Sequence, residues 1–329
     1  MWPFIVAGSV VPLWALLNMK TSRSDGTLIK KVHAYRTMLG YIMPTRNESV
    51  VYFDTYVNAE QLVEYIPRAR ERFHCDVTHT LVAACNFGLI DAPQMNTFIS
   101  GRRLYRRKGA QVTFSMKRQK LNRKAKLSAV KREVDGTLTF RELCERINSH
   151  IHVERSDKKT HADKELGFFS SWPRPLLRAG IGAVRLLDYY NILPHSFIKN
   201  DGMYTSCFIA NLGSVGMDPG YHHLYEWGNC PLFMMVGRLH DRPVVKDGQV
   251  VPQKTLHVRW SYDERIDDGL SARFGIDSVK KVLENPFEYL GCLAEDGSDA
   301  KPINEWPTAH PLRDTEREGE AADLWRKSA

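Results

Sequence analysis

Residues 256–286 read LHVRWSYDERIDDGLSARFGIDSVKKVLENP, and this stretch decides how the rest of the chain is read. From His257 to Tyr262 apolar and polar residues alternate, the two-residue period of a strand with one face buried. An acid-rich turn follows, with Asp263, Glu264, Asp267, Asp268 and Gly269 in seven positions. Beyond it Leu270, Phe274, Val279, Val282 and Leu283 recur at helical spacing until Asn285-Pro286 ends the pattern. The unit is therefore strand, acidic turn, helix, and a polar turn at the end of a buried strand is a place where reactive groups are presented.

The run Tyr-Asp-Glu-Arg-Ile-Asp-Asp-Gly at 262–269, with its helix and the Leu-Glu-Asn-Pro stop, resembles the catalytic-domain signature of dihydrolipoamide acyltransferases and chloramphenicol acetyltransferases. In that family the motif is His-x-x-x-Asp-Gly, written Asp-His-Arg-x-x-Asp-Gly in the dihydrolipoamide branch. Asp263, Arg265, Asp268 and Gly269 match it, and Glu264 stands at the histidine position. Cys207 to Gly216, CFIANLGSVG, is similar to the family's Ser/Thr-Asn-Leu-Gly strand, here with Ala210, Asn211 and Gly213. Pro231 to Gly237 and Arg242 to Val251 resemble its following strand and its Arg-Pro-Val-Val hairpin. Upstream, Tyr41 to Arg46, Val51 to Asp54 and Phe98 to Arg106 are similar to a stand-alone bacterial subgroup with Asp-Glu-Arg-x-x-Asp-Gly. The likeness runs from about residue 33 to 292 with its blocks in order.

The resemblance implies an α/β, two-layer chloramphenicol acetyltransferase-like fold with a mixed sheet packed by helices, assembled as a homotrimer or a larger array of trimers. It implies a coenzyme A thioester as substrate and an active channel between subunits. In such enzymes the motif histidine is a general base, and a hydroxyl before Asn-Leu-Gly stabilises the oxyanion. Here Glu264 and Ala210 occupy those places. A carboxylate has an ordinary pKa of about 4.3, and burial beside Asp263, Asp267 and Asp268 would raise it. Ser206 and Ser214 are the substitute hydroxyls, Ser206 lying about 13 Å from Ala210 along a strand. His222 and His223 are the alternative bases, with ordinary packing or loop capping as the other reading. The family also pairs the motif aspartate with an arginine near the chain start. Arg46 is the candidate partner of Asp268, with Arg265 competing.

Composition sets the bounds. The chain has 329 residues, 43% hydrophobic and 26% charged, enough for a sizeable core. Its six cysteines include no C-x-x-C pair, so they read as reduced packed thiols, and no metal site is expected. The formal charge of +8 favours an anionic partner such as coenzyme A phosphates or a membrane surface. Much of the excess lies in Arg102 to Arg132, which reads as solvated strand faces; no nucleic-acid motif accompanies it.

Three segments follow: an apolar stretch at 1–20, an acyltransferase-like domain at 21–292, and a polar tail at 293–329 expected to be extended. Residues 2–18 carry no charge, and as a helix they would reach only about 25 Å, short of a bilayer core. They are expected either to attach a cytoplasmic protein to the membrane or to pack on protein. Within the domain, strands are expected at Val50–Val57, Phe98–Tyr105 and Gln111–Lys117. Helices are expected at Ala59–Phe73 (burying Leu62, Val63 and Ile66), Thr78–Leu89, Thr137–His152 and Leu176–Tyr190. The last is read first as packing on the core, or else as a channel lid or membrane-facing helix. Glu154–Lys164 reads as an exposed loop. The N-terminus lacks the Asp-Lys-Ala turn of a lipoyl domain, so a swinging-arm complex would need a lipoylated partner. Two functions result: acyl transfer from coenzyme A to a thiol, hydroxyl or amine, or an inactive relative serving as trimeric scaffold or ligand-binding subunit.

Overall fold

The structure is a computed structural model that describes residues 12–117, 127–155 and 171–310. In chain order, residues 12–19 are helical, followed by strand β1 (Gly26–Leu28), helix α1 (Ala34–Ile42), β2 (Val50–Asn58), α2 (Glu60–Arg70) and α3 (Val77–Asp91). Then come β3 (Thr97–Ser100), β4 (Arg103–Arg107), β5 (Ala110–Lys117), β6 (Leu127–Val134), α4 (Phe140–Arg155), α5 (Arg174–Tyr189) and α6 (His195–Asn200). The chain continues through β7 (Cys207–Asn211), β8 (Leu232–Lys246), β9 (Gln249–Asp263), α7 (Gly269–Glu284) and α8 (Pro286–Tyr289).

Six strands form a mixed sheet in the order β2-β9-β8-β7-β5-β6. Strand β7 runs parallel to both β5 and β8, and the remaining pairs are antiparallel. A smaller sheet, β1-β4-β3, sits beside it. The alternation read in β9 sets the layers: Leu256, Val258, Trp260 and Tyr262 enter the main core, which also holds residues of α2, α3 and α7. The opposite face carries a second cluster around Phe208, Ala210, Phe233 and Met235, with Phe208 stacked on Phe233 at 4.6 Å.

Helix α3 lies at the centre of the core. Asp76 caps it, accepting from the amides of Thr78 and His79 while His79 reaches back to the Asp76 amide, a closed capping box. Because almost every residue of α3 is buried, its sequence is apolar all round instead of striped. Gly88 lets α7 come close, since a side chain there would meet Val279 at 2.7 Å and the Gly275 carbonyl at 3.1 Å.

Several expectations change. In α2 the buried residues are Leu62, Tyr65, Ile66 and Ala69, while Val63 is exposed. Phe98–Tyr105 is a hairpin and not one strand: it folds at Gly101 and Arg102, both at positive φ. The capping box at Thr139 and Glu142 is present, and its helix runs on to Arg155, so Glu154 is helical; residues 156–164 lie outside the described residues. No residue of α5 is buried, so it does not pack as a core helix. The start of the C-terminal segment is no extended tail. Ile303 and Trp306 join the main core, Thr139 bridges to Pro302, and Thr308 donates to Asp91 at 2.8 Å. Residues 311–329 lie outside the described residues.

All six cysteines are buried and free of disulfides. Among the described residues no helix is long and apolar enough to cross a membrane.

Trp306 packs on Phe87 and Tyr289 with ring centroids 5.6 and 5.8 Å away. Trp306→Ala is therefore expected to cost about 3–5 kcal/mol. Urea unfolding should show a lower midpoint at unchanged slope; a stability within error of the parent would mean this segment is not part of the core.

Candidate functional site

Strand β9 ends at Asp263 and α7 begins at Gly269, so residues 264–268 form the connecting turn. What fixes it is a buried ion pair. The Asp263 carboxylate is 1% exposed and accepts from Arg265 Nε at 2.8 Å, Arg265 Nη2 at 2.7 Å and the Ser49 hydroxyl at 2.9 Å. Arg265 Nη1 then donates to the Met43 carbonyl at 2.8 Å. Two-pronged guanidinium–carboxylate geometry is among the stronger pairings available to side chains, and here every contact lies within the protein.

Neither arginine expected for Asp268 is its partner. Arg265 is committed to Asp263. Arg46 is buried and donates to the Tyr225 carbonyl at 3.1 Å. The ion pair of Asp268 is with Arg36 of α1, at 3.8 Å. Asp268 also caps α7 by accepting from the Ser271 amide at 2.9 Å.

Glu264 donates its backbone N–H to the Ser49 carbonyl at 3.0 Å and is half-buried. Among the described residues no hydrogen bond or ion pair engages its carboxylate. In sequence Asp267 reads only as a neighbouring charge, yet of the acids at 264, 267 and 268 it is the buried one, at 6% exposure. Its Oδ1 accepts from the Asp268 amide, and its Oδ2 has no partner among the described residues. Burial first, then the Asp268 charge, pushes its pKa up to about 6 despite that amide. Burial and the Asp267 charge likewise push the Tyr262 phenol up. Gly269 meets nothing within 4 Å of where a Cβ would stand, so its surroundings do not demand glycine.

The second motif lies elsewhere in the same chain. Asn211 pairs with Val236 and Val236 with Val258, so Asn211 is level with a residue six positions before Glu264. At about 3.3 Å per residue that is roughly 20 Å along the strands. Asn211 accepts from the Ser214 amide and donates to the Thr78 hydroxyl at 3.2 Å. Gly213 allows the turn to touch β8, since a Cβ would fall 2.3 Å from the Gly237 carbonyl oxygen. Neither substitute hydroxyl is idle: Ser206 accepts from the Gln111 amide at 3.0 Å, and Ser214 donates to the Asn211 carbonyl at 2.8 Å.

His222 lies on the outer sheet face, stacked on Phe233 at 4.4 Å, and its carbonyl accepts from Ser261, three residues before Glu264. Burial lowers its pKa, so the ring is neutral at pH 7. With Nδ1 as donor to the His223 carbonyl at 2.6 Å, Nε2 is left as an acceptor. His223 is exposed and donates from Nδ1 to the Leu224 carbonyl at 3.0 Å. Among the described residues no three potential metal ligands converge.

Two features had no sequence signal. His257 Nε2 lies 2.8 Å from Asp54 Oδ1, and the same carboxylate binds Arg259 Nε at 2.6 Å. This pairing depends on the β2–β9 register, which places Asp54 opposite Arg259. Behind the motif turn a cavity of about 380 Å³ is lined by Arg46, Arg265, Tyr189, Tyr204 and Trp227.

Residues 198–290 match the family of 2-oxoacid dehydrogenases acyltransferase (catalytic domain). The acetyltransferase component of the pyruvate dehydrogenase complex of Staphylococcus aureus is 31% identical over 84 residues, 25% of this chain and 18% of that protein. The Staphylococcus epidermidis protein is 31% identical over 96 residues, 26% of this chain and 21% of the relative. The chain thus matches about a fifth of these relatives' length. Among solved structures, a probable dihydrolipoamide acetyltransferase from Listeria monocytogenes aligns with a TM-score of 0.52 at 14% identity, covering 79% of this chain and 95% of that one. The Azotobacter vinelandii dihydrolipoamide acetyltransferase aligns at 0.51 and 16% identity, covering 79% and 93%. The fold is that of these catalytic domains.

Two outcomes follow from the turn. Removing one partner of the buried pair, as in Arg265→Met, is expected to cost about 3–5 kcal/mol, because Asp263 is left charged and unpaired. Denaturant unfolding of Arg265→Met and of Asp263→Asn with Arg265→Met checks this, the double variant recovering part of the loss. For Asp267 the folded carboxyl titrates near 6 against an ordinary 3.8, so the folded state holds its proton longer and stability falls as pH rises through that window. Asp267→Asn is expected to gain up to about 3 kcal/mol over the parent at pH 7.5, a gain that vanishes below about pH 4. Equal pH-stability curves for the two proteins would contradict it.

Proposed function

We propose that this chain is an acyltransferase that moves an acyl group from a coenzyme A thioester to a thiol, hydroxyl or amine acceptor, with Glu264 as general base. The observation that carries the reading is an unengaged carboxylate, presented on a turn pinned by the buried Asp263–Arg265 pair. It lies inside the stretch that matches the acyltransferase family.

In the proposed reaction the Glu264 carboxylate takes the acceptor's proton as the acceptor attacks the thioester carbonyl. A tetrahedral oxyanion forms and collapses, the carbon–sulfur bond breaks, and the departing coenzyme A thiolate recovers the proton from Glu264. The base holds a proton only between these two steps, and positioning it against the acceptor supplies much of its effect. The outer-face imidazole of His222, neutral with Nε2 open, is the second candidate for proton transfer.

Asn211 is about 20 Å from Glu264 within one chain, so a site that uses both takes Glu264 from one copy and Asn211 from the next. This supports a homotrimer in which the site lies between subunits. Among the charged residues lining the cavity, Arg46, Arg102, Arg185 and Arg265 outnumber Asp188 and Glu226, which favours an anionic donor such as coenzyme A, and the cavity's size is within the range of small-molecule sites. A dihydrolipoyl group on a partner chain is one thiol acceptor consistent with the relatives' names.

The test is thiol release from acetyl and longer acyl coenzyme A with a panel of acceptors. Glu264→Gln is expected to lower the rate by about 10²- to 10⁴-fold while coenzyme A still binds. If parent and variant both bind coenzyme A and release only background thiol, the chain is the inactive scaffold or ligand-binding relative instead.

A further inference from the structure

We propose that the helical stretch 12–19, α1 and α5 form one face that lies on an anionic lipid surface. This face borders the cavity of the proposed acyl-transfer site, whose lining includes Arg102 and Arg185, but the proposal does not rest on that reading.

The three helices meet at one tight turn. Arg103 donates to the carbonyls of Asn18 and Lys20, holding the end of the first helix. Arg102 lies over the ring of Tyr41 at 4.9 Å, holding α1. Gly101 packs against the Tyr189 carbonyl at the end of α5, and Asn191 just beyond donates to Lys20 at 3.0 Å.

Around this junction large apolar side chains face outward. Leu13, Trp14, Leu16 and Met19 are each more than half exposed, and so are Tyr35, Met38, Tyr41 and Ile42 of α1. On α5, where nothing is buried, Leu176 and Leu186 are 56% and 59% exposed. So dense an outward apolar surface marks an interaction site. In sequence, residues 2–11 add ten more uncharged positions directly before it.

Charge identifies the occupant. Lys20, Arg102, Arg174, Arg178 and Arg185 are exposed on these helices or on the turns beside them. Across residues 12–22, α1 and α5 the single acid is Asp188, which is committed to Arg23 at 2.9 Å. A second copy presenting this face would bring like charges together, whereas anionic headgroups complement them. Exposed Trp and Leu beside Arg and Lys, with no helix among the described residues long and apolar enough to span, is the composition of a surface that lies in the headgroup layer.

The experiment is co-sedimentation of the full chain with sucrose-loaded vesicles of phosphatidylcholine alone or mixed with phosphatidylglycerol. Binding to the mixed vesicles is expected, weakening as salt is raised. Arg178→Gln and Arg185→Gln should each weaken it about fivefold. Leu176→Asp and Leu186→Asp should weaken it with unchanged far-ultraviolet circular dichroism. Equal binding to both vesicle types, or no binding to either, overturns the proposal. So does a fall in solution mass by light scattering in Leu186→Asp, which would show the face buried against another copy.

Discussion

The structure turns on the bond between Asp263 and Arg265. Two charges removed from water are tolerated because the carboxylate is gripped by both prongs of the guanidinium and by Ser49, and the guanidinium is completed by the Met43 carbonyl. The pair ties the end of β9 to the loop that precedes β2. Glu226 accepts from the Asn47 amide at 3.0 Å and Arg46 holds the Tyr225 carbonyl, so the segment on the outer face is braced against the same loop. The turn at 264–268 is held by this brace at one end and by the Asp268 cap of α7 at the other.

The sheet separates two kinds of surface. On the helix side, aromatic and aliphatic residues of β9 are sealed by α3 and α7, and Asp267 pays for its place there with a raised pKa. On the other side, Phe208, Phe233 and His222 stack beneath a lone segment, and polar groups such as the Asp54, His257 and Arg259 set remain near water. The candidate bases divide between the end of the sheet and its outer face, which suits a site completed from outside the chain.

Most of the central unit was legible because local rules decide it. Alternation from His257 to Tyr262 and an Asn-Pro stop each act within a few residues, and the strand's end at Asp263 and the helix's end at Glu284 follow them, although β9 begins as early as Gln249. The features that were not legible depend on tertiary placement. Tyr65 replaces Val63 in the core because the buried stripe of α2 is set by what lies above it. The hairpin at Gly101–Arg102 is hidden in an even run of apolar and basic residues. Arg36 reaches Asp268 only once α1 is docked, and Trp306 is surrounded in sequence by polar residues that say nothing of its burial. Within the turn, composition could not distinguish Asp267 from its neighbours; only the path of the backbone buries one and exposes the other.

The register of the edge strand also governs the order in which the molecule can be completed. β2, formed early in the chain, pairs only with β9, some two hundred residues later, as in Val50 with Asp263. Until a ribosome has delivered that last strand, β2 has no neighbour in the sheet and the loop before it lacks the carboxylate that anchors it. Closing so long a separation is slow, because the intervening chain loses its freedom before the contact rewards it. A nascent chain that stops short of residue 249 would lack both its paired sheet edge and the motif turn at 264–268, so the two mature together.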